Sequence, residues 1–270
     1  MVVDGGGAGE EEVLAGRVTE FVRVGDTVLR PPSANSESMR QLLLHLERSG
    51  FAGAPCVVGS EPDGGVALTW IDGWVPTDLE GWKLDAGALE SVGELLRAYH
   101  DCVRGFAPDT GFEEGPQLVA EGQIVCHGDI APRNTVFRDG RAAAFIDWDG
   151  IFVSSPMWDL GHAVWQFGPV CGDDDPWLRD WPAPADRSER IAAILRGYRL
   201  RGSEAEYLGD MVVEVIAGCR RSVARKAAAG IPAYVRMRDE GVLNDLDSQR
   251  RTAEQCRSLV VDAARASTSG

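Results

Sequence analysis

The apolar and polar positions at the start of the chain follow the patterns of short strands and one helix. Residues 18–30 predict two strands around a turn at Gly25 and Asp26, and two prolines end the second strand. An amphipathic helix follows, since apolar residues recur at helical spacing before Gly50: Met39, Leu42, Leu43 and Leu46. Residues 54–58 and 66–71 predict two further strands. The segment before Gly16 is too short and polar to define a first strand by its pattern alone.

Beyond Gly73 the pattern becomes mainly helical. Helical spacing predicts a long helix ending near Val103, and later helices over residues 191–198, 208–219 and 253–260. Two short apolar runs, 135–137 and 142–146, flank Asp139-Gly140, a strong hairpin signal. We therefore predict an α+β protein with two lobes around a cleft: a small β-rich lobe (1–72) and a larger helical lobe (73–270).

Composition limits the class of protein. The chain has 270 residues, enough to bury a sizeable core. No apolar run approaches the ~20 residues of a membrane span, and the acidic, glycine-rich start lacks a secretory signal, so no membrane partner is expected. The six cysteines form no C-x-x-C pair, which predicts reduced, buried thiols in a cytoplasmic protein.

Net charge narrows the range of partners. The formal charge of −15 at pH 7 disfavours nucleic acid, because no basic surplus exists to neutralise phosphates. The same charge would favour a cationic small molecule through its field, although many acidic proteins have no such partner. The sequence leaves the oligomeric state open.

Residues 124–149 carry the candidate chemistry. They contain His127-Gly-Asp129, then Asn134, and, after the predicted hairpin, Asp147-Trp-Asp149. Phosphoryl transfer needs a carboxylate to orient the attacking hydroxyl and oxygen ligands to hold Mg²⁺. Asp129 fits the first role, and Asn134 and Asp147 fit the second, because an antiparallel hairpin would return Asp147 close to Asn134.

This pattern, H-G-D-x-x-x-x-N followed by I-D-W-D, resembles the aminoglycoside phosphotransferase and choline-kinase-like family, which has a protein-kinase-like fold. The resemblance implies Asp129 as catalytic base, Asn134 and Asp147 as Mg²⁺ ligands, and His127 as a loop-bracing residue. It also implies a structural Asp159, which we expect to cap a helix from Leu160 onward. Asp149 could be a second carboxylate on the metal or substrate side, or an ordinary loop residue.

The same resemblance implies where a nucleotide would bind in the smaller lobe. Arg30 stands where the family has a phosphate-binding lysine or arginine, and Glu37 is the nearest candidate for its helix partner. Residues 68–73 resemble the family's hinge, the segment that connects the two lobes. This hinge would place Trp70 beside the purine, with the backbone of Thr69 and Ile71 hydrogen-bonding the edge of the purine. The glycine-rich loop is reduced to Ala15-Gly16. Thus the N-terminal lobe would bind ATP or GTP, and the C-terminal lobe would bind the substrate and carry the catalytic groups.

Two features argue against a protein substrate. The lysine that protein kinases carry two residues after the catalytic aspartate is replaced by Ala131, and only twelve positions separate Asp147 from Asp159, too few for a regulated activation loop. The sequence thus predicts a small-molecule kinase acting on a hydroxyl group, possible acceptors being an aminoglycoside or other antibiotic. The alternatives are a metabolic kinase of an amino alcohol, sugar or secondary metabolite, and a catalytically impaired nucleotide-binding pseudokinase.

Overall fold

The structure is a computed structural model, and it describes residues 11–15, 20–107, 122–170 and 187–268 of the chain. Its smaller lobe is a five-stranded antiparallel sheet in the order β1-β2-β3-β5-β4. The strands are β1 (Glu11–Ala15), β2 (Glu20–Val24), β3 (Thr27–Arg30), β4 (Val57–Ser60) and β5 (Val66–Thr69). Helix α1 (Ser36–Arg48) lies between β3 and β4 in the chain and buries the predicted apolar face, including Met39 and Leu46.

A strand precedes Gly16, where the sequence pattern defined none. Strand β1 pairs antiparallel with β2, with Glu11 opposite Val24. The strand has the sequence EEVLA, which is too short for its apolar positions to form a clear pattern, and its pairing is made by backbone N–H and C=O groups. Gly16 itself, and with it the reduced glycine-rich loop, lies outside the described residues.

The larger lobe is mainly helical. Its helices are α2 (Ala86–Val103), α3 (Pro156–Phe167), α4 (Arg187–Tyr198), α5 (Gly202–Ala228), α6 (Pro232–Asp239), α7 (Val242–Gln255) and α8 (Arg257–Ser267). Helix α6 was not predicted, and the helix predicted over residues 253–260 is divided at Cys256 into α7 and α8. None of the helices in the described ranges is long and apolar enough to cross a membrane.

A small group of strands in the larger lobe positions the candidate site. Strand β6 (Ile124–Cys126) pairs with β9 (Phe152–Ser154), and β7 (Thr135–Arg138) pairs with β8 (Arg141–Phe145). The turn between β7 and β8 uses Asp139 and Gly140, both with positive φ, as the predicted Asp-Gly hairpin requires.

Backbone and side-chain hydrogen bonds join the two lobes around this hairpin. The Phe145 N–H donates to the carbonyl of Gly53 at 2.9 Å. The Asn35 amide beside α1 donates to the carbonyl of Asp149 at 2.8 Å. The arrangement is the predicted two-lobed, protein-kinase-like fold. The segment that runs from β6 to β9 forms the floor of the cleft.

Candidate active site

Asp159 anchors the loop that carries the candidate base. Its carboxylate is fully buried and accepts the backbone N–H groups of His127 and Gly128, each at 2.8 Å. Gly128 has a φ of +83°, and a Cβ there would lie 2.3 Å from the carbonyl oxygen of Gly150, so the position requires glycine. Burial raises the pKa of Asp159, but the hydrogen bonds from His100 and Gly128 outweigh burial and lower it.

The expectation that Asp159 caps a helix is wrong. Helix α3 is capped by Ser155, whose hydroxyl accepts the Met157 N–H at 3.3 Å, and Asp159 lies within the first turn. Serine is among the best N-cap residues, so the aspartate is not needed there. Its carboxylate reaches across to the catalytic loop instead.

His127 lies between the catalytic loop and the end of the hairpin. Its Nδ1 accepts the Asp129 N–H at 3.3 Å, so Nε2 carries the proton and donates to the carbonyl of Ile146 at 3.0 Å. Burial keeps the pKa of His127 below its ordinary value, which favours this neutral form. His127 therefore ties the segment before Asp129 to the segment before Asp147.

The carboxylate of Asp129 faces the cleft and is fixed from two sides. Asn134 Nδ2 donates to its Oδ2 at 2.8 Å, and Arg133 donates to its Oδ1 at 2.6 Å. Burial raises the pKa of Asp129, but the charge of Arg133 and the hydrogen bond it donates outweigh burial and lower it. The group is therefore an ionised, oriented carboxylate at neutral pH, suited to positioning a hydroxyl.

The hairpin brings Asn134 and Asp147 to the same end of the cleft. The Ile146 N–H donates to the Asn134 carbonyl at 2.9 Å, directly before Asp147. Asp147 adopts a left-handed conformation (φ 65°, ψ 60°), and its side chain is 48% exposed, so the carboxylate can be reached from the cleft.

The oxygen atoms of these two residues fit Mg²⁺. Because Asn134 donates through Nδ2, its Oδ1 can act as a metal ligand, and carboxylate and amide oxygens are what Mg²⁺ prefers. Within the described ranges, no cluster of three or more histidine, cysteine or acidic side chains could hold a metal alone. Two oxygen ligands from the protein suit Mg²⁺, which commonly binds one or two protein ligands together with nucleotide phosphates.

Arg30 crosses from the smaller lobe to the candidate metal end of the cleft. Its Nη2 donates to Asp147 Oδ1 at 2.9 Å and forms a short contact with Asp149 Oδ2. Burial lowers the pKa of Arg30, but the carboxylates of Asp149 and Asp147 outweigh burial and raise it. Its Nε is buried without a hydrogen-bond partner in the part of the chain described here.

Glu37, the nearest candidate in the sequence for the partner of Arg30, does not pair with it. Glu37 lies on the exposed side of α1, where it accepts two hydrogen bonds from Arg40 at 2.8 Å and one from Gln41 at 2.9 Å. These local i,i+3 and i,i+4 contacts satisfy the carboxylate without the sheet. Asp149, which the sequence left between a metal-side, substrate-side and loop role, occupies the place beside Arg30.

The hinge forms one wall of a cleft of about 1440 Å³. The Thr69 N–H donates to the Cys56 carbonyl at 2.9 Å, and the Trp70 N–H donates to the Asp26 carbonyl at 2.7 Å. Among the described residues, the Ile71 N–H has no hydrogen-bond partner. Apolar side chains from both lobes line the same region and could enclose a flat ring: Val28, Leu68, Val136 and Ile146.

Three residues near Asp129 were not singled out from the sequence. His162 Nε2 lies 3.5 Å from Asp129 Oδ1, while its Nδ1 contacts the Ile130 carbonyl at 3.0 Å. Arg133 bonds both Asp129 and the side chain of Gln166 on α3. Arg133 occupies one of the variable positions of the loop motif. His162 and Gln166 lie on α3, so only the folded chain brings the three residues together.

Residues 112–207 match the phosphotransferase enzyme family. That match contains Asp129, Asn134, Asp147 and Asp159, so it confirms the resemblance found in the loop and hairpin. Among curated proteins, the chain is similar to a trifolitoxin immunity protein of Rhizobium leguminosarum bv. trifolii. The two are 29% identical over 225 residues, which cover 80% of this chain and 84% of the relative.

Solved structures confirm the fold over nearly the whole chain. A choline/ethanolamine kinase family protein from Mesorhizobium loti has a TM-score of 0.62 at 18% identity, covering 96% of this chain and 93% of the other. The GDP and kanamycin complex of an APH(2'') protein has a TM-score of 0.60 at 13% identity, covering 92% and 94%. These similarities establish a kinase-like fold.

Proposed function

We propose that this chain is a small-molecule kinase that transfers the γ-phosphoryl group of ATP or GTP to a hydroxyl group. The observation that carries the proposal is that Asp129, Asn134, Asp147 and Arg30 line one cleft between the two lobes. A nucleotide would place its purine against the hinge, with the Ile71 N–H as donor, and its phosphates between Arg30 and Asp147.

Asp129 would orient the acceptor hydroxyl and receive its proton late in the transfer. A carboxylate with a lowered pKa is a weak base, but a loose, metaphosphate-like transition state requires positioning more than basicity. Asn134 and Asp147 would hold Mg²⁺, which offsets negative charge on the phosphates when it is bound. Arg30 would bind a phosphate oxygen through its planar group of donors.

The acceptor that these comparisons favour is an antibiotic or toxin. The curated relative is an immunity protein, and the chain shares its fold with proteins solved in complex with kanamycin or gentamicin. However, the described residues on the side of the cleft where the acceptor would bind carry both positive and negative charges. They include Arg221, Arg225 and Lys226 on α5 and Asp245 on α7. Three consecutive aspartates at positions 173–175, which the sequence offers either as a substrate-side cluster or as a solvated loop, lie outside the described residues. A screen for the acceptor should therefore include neutral and anionic compounds as well as polycations.

The direct test is a screen for acceptor-dependent release of nucleoside diphosphate. The purified chain is incubated with Mg·ATP or Mg·GTP and a panel of aminoglycosides, peptide antibiotics, amino alcohols and sugars. We expect one class to stimulate turnover, and Asp129→Asn to reduce that turnover by at least ~10³-fold while leaving Mg·nucleotide affinity within about twofold. Asp147→Asn should instead remove the Mg²⁺ dependence of nucleotide binding.

The outcomes separate the competing functions. Turnover only with amino alcohols or sugars would indicate a metabolic kinase. Magnesium-dependent nucleotide binding without transfer or basal hydrolysis would indicate a pseudokinase. Wild-type turnover in Asp129→Asn would contradict the assigned role of Asp129.

A further inference from the structure

The candidate active site has a cation that the loop motif does not predict. Phosphoryl transfer places negative charge on three equatorial oxygens, and kinase-like sites commonly stabilise it with a basic side chain. The loop position two residues after Asp129 is Ala131, which is fully buried and carries no charge. The guanidinium group of Arg133, two residues further along, lies against the carboxylate of Asp129.

The position of Arg133 is fixed from three directions. The residue belongs to a 3-10 turn (Pro132–Asn134) that follows the loop. Its Nη2 donates to Asp129 Oδ1 at 2.6 Å, and its Nη1 donates to Gln166 Oε1 on α3 at 3.3 Å. The side chain is 29% exposed and lines the cleft, so its charge is held beside the carboxylate of Asp129 at the surface of the site.

We propose, on the basis of the function above, that Arg133 is a catalytic residue that binds a non-bridging oxygen of the transferring phosphoryl group. Asp129 marks where the acceptor hydroxyl must lie, and the guanidinium contacts the same carboxylate. The phosphoryl group passes next to that hydroxyl. A guanidinium carries five N–H donors in a rigid plane, so one group can bond a carboxylate and a phosphoryl oxygen together.

The step requires no covalent change at Arg133. The acceptor oxygen forms a bond to the γ-phosphorus, and the bond from phosphorus to the β–γ bridging oxygen breaks. The electron pair of that bond leaves with the nucleoside diphosphate, and the hydroxyl proton passes to the carboxylate of Asp129. Arg133 stabilises the charge that spreads over the equatorial oxygens between these events.

A purely structural alternative is that Arg133 only holds the rotamer of Asp129. The two roles differ in their response to a transition-state mimic. Aluminium fluoride bound beside ADP imitates the planar transferring phosphoryl group, so its affinity depends on groups that contact that position. This measurement needs no identified acceptor.

The experiment titrates Mg·ADP into the full chain by calorimetry, with and without aluminium fluoride. We expect the wild type to bind at least ~10-fold more tightly with aluminium fluoride, and Arg133→Ala to lose that gain while its affinity for Mg·ADP changes less than about twofold. Arg133→Lys should retain part of the gain, because lysine keeps the charge without the planar donors. Arg133→Gln carries the same expectation as Arg133→Ala if the alanine variant does not fold.

Arg141→Ala is the matched control, because Arg141 lies on the same hairpin region, is largely exposed and pairs with Glu94 away from the cleft. It should retain the full gain. A normal gain in Arg133→Ala, or no gain in the wild type, would overturn the role of Arg133. If the wild type does not bind Mg·ADP at all, the proposed kinase function itself fails.

Discussion

At the end of the cleft where Mg²⁺ would bind, two carboxylates compete for one arginine. Arg30 bonds Asp147, the candidate metal ligand, and also Asp149, so the guanidinium is shared between them. Burial raises the pKa of Asp149, and Arg30 only partly offsets this effect. By attracting Arg30, Asp149 would keep the positive charge from neutralising Asp147 completely.

We therefore expect Asp149→Ala to weaken binding of Mg·ATP by about tenfold, because Arg30 would then pair with Asp147 alone and compete with the metal. The effect should act through Arg30, so adding Asp149→Ala to Arg30→Ala should change affinity by less than about twofold. Isothermal titration in the presence and absence of Mg²⁺ measures both.

Glu37→Ala serves as the control for this cycle. Glu37 contacts Arg40 and Gln41 on the surface of α1, so its removal should leave nucleotide affinity unchanged. If the Arg30 and Asp149 substitutions weaken nucleotide binding independently, so that their fold-changes in affinity multiply, Asp149 does not act through the arginine.

At the scale of elements, the crossing of α2 and α4 depends on two glycines. A Cβ on Gly93 would lie 2.0 Å from the Ile194 carbonyl oxygen and 2.6 Å from the Tyr198 nitrogen. A Cβ on Gly197 would lie 1.9 Å from the Glu90 carbonyl oxygen. The helix backbones therefore touch directly, and this contact sets the position of Tyr198, whose hydroxyl bonds His100 beside Asp159.

Gly93→Ala should lower the free energy of unfolding by roughly 1–3 kcal/mol, because backbone would have to move to admit the methyl group. An ordinary glycine-to-alanine change inside a helix has the opposite sign, stabilising by up to ~1 kcal/mol. Gly202→Ala is the control, since a Cβ at the start of α5 meets nothing within 4 Å. Urea denaturation compares the two; equal stability of Gly93→Ala and wild type would exclude the close contact.

At the scale of the whole molecule, the buried histidines near the cleft make stability depend on pH. His127 and His162 are almost fully buried, and burial holds the pKa of each below its ordinary value. The unfolded chain therefore binds more protons than the native chain once the pH falls below about 6.5.

We expect the free energy of unfolding to fall as pH is lowered from 7 to 5, by at most ~1.4 kcal/mol per pH unit for each of these histidines. His162→Gln should reduce that slope by at most the contribution of one bound proton, which is ~1.4 kcal/mol per pH unit. This reduction should not depend on the effect of the substitution on stability at pH 7. Urea titrations at several pH values measure the slope. An unchanged slope would mean that His162 binds a proton equally in the folded and unfolded chain.

Much of the site and fold could be predicted because it depends on neighbours in the chain. The loop, Asp-Gly turn and hairpin lie within 124–149, where turn chemistry and residue order determine the local path. Helical spacing likewise identified α1, α2, α4 and α5. The sequence by itself thus determined the fold class, the β7–β8 hairpin and the absence of the usual loop lysine.

Tertiary structure decided the partners of the charged groups. Arg30 meets Asp149 rather than Glu37, Asp159 holds a loop instead of capping a helix, and Arg133 lies on Asp129. Each of these carboxylates has more than one possible partner, and only the packing of distant elements selects among them. Strand β1 is a similar case. It pairs with β2 through backbone hydrogen bonds, which the pattern of its side chains does not predict.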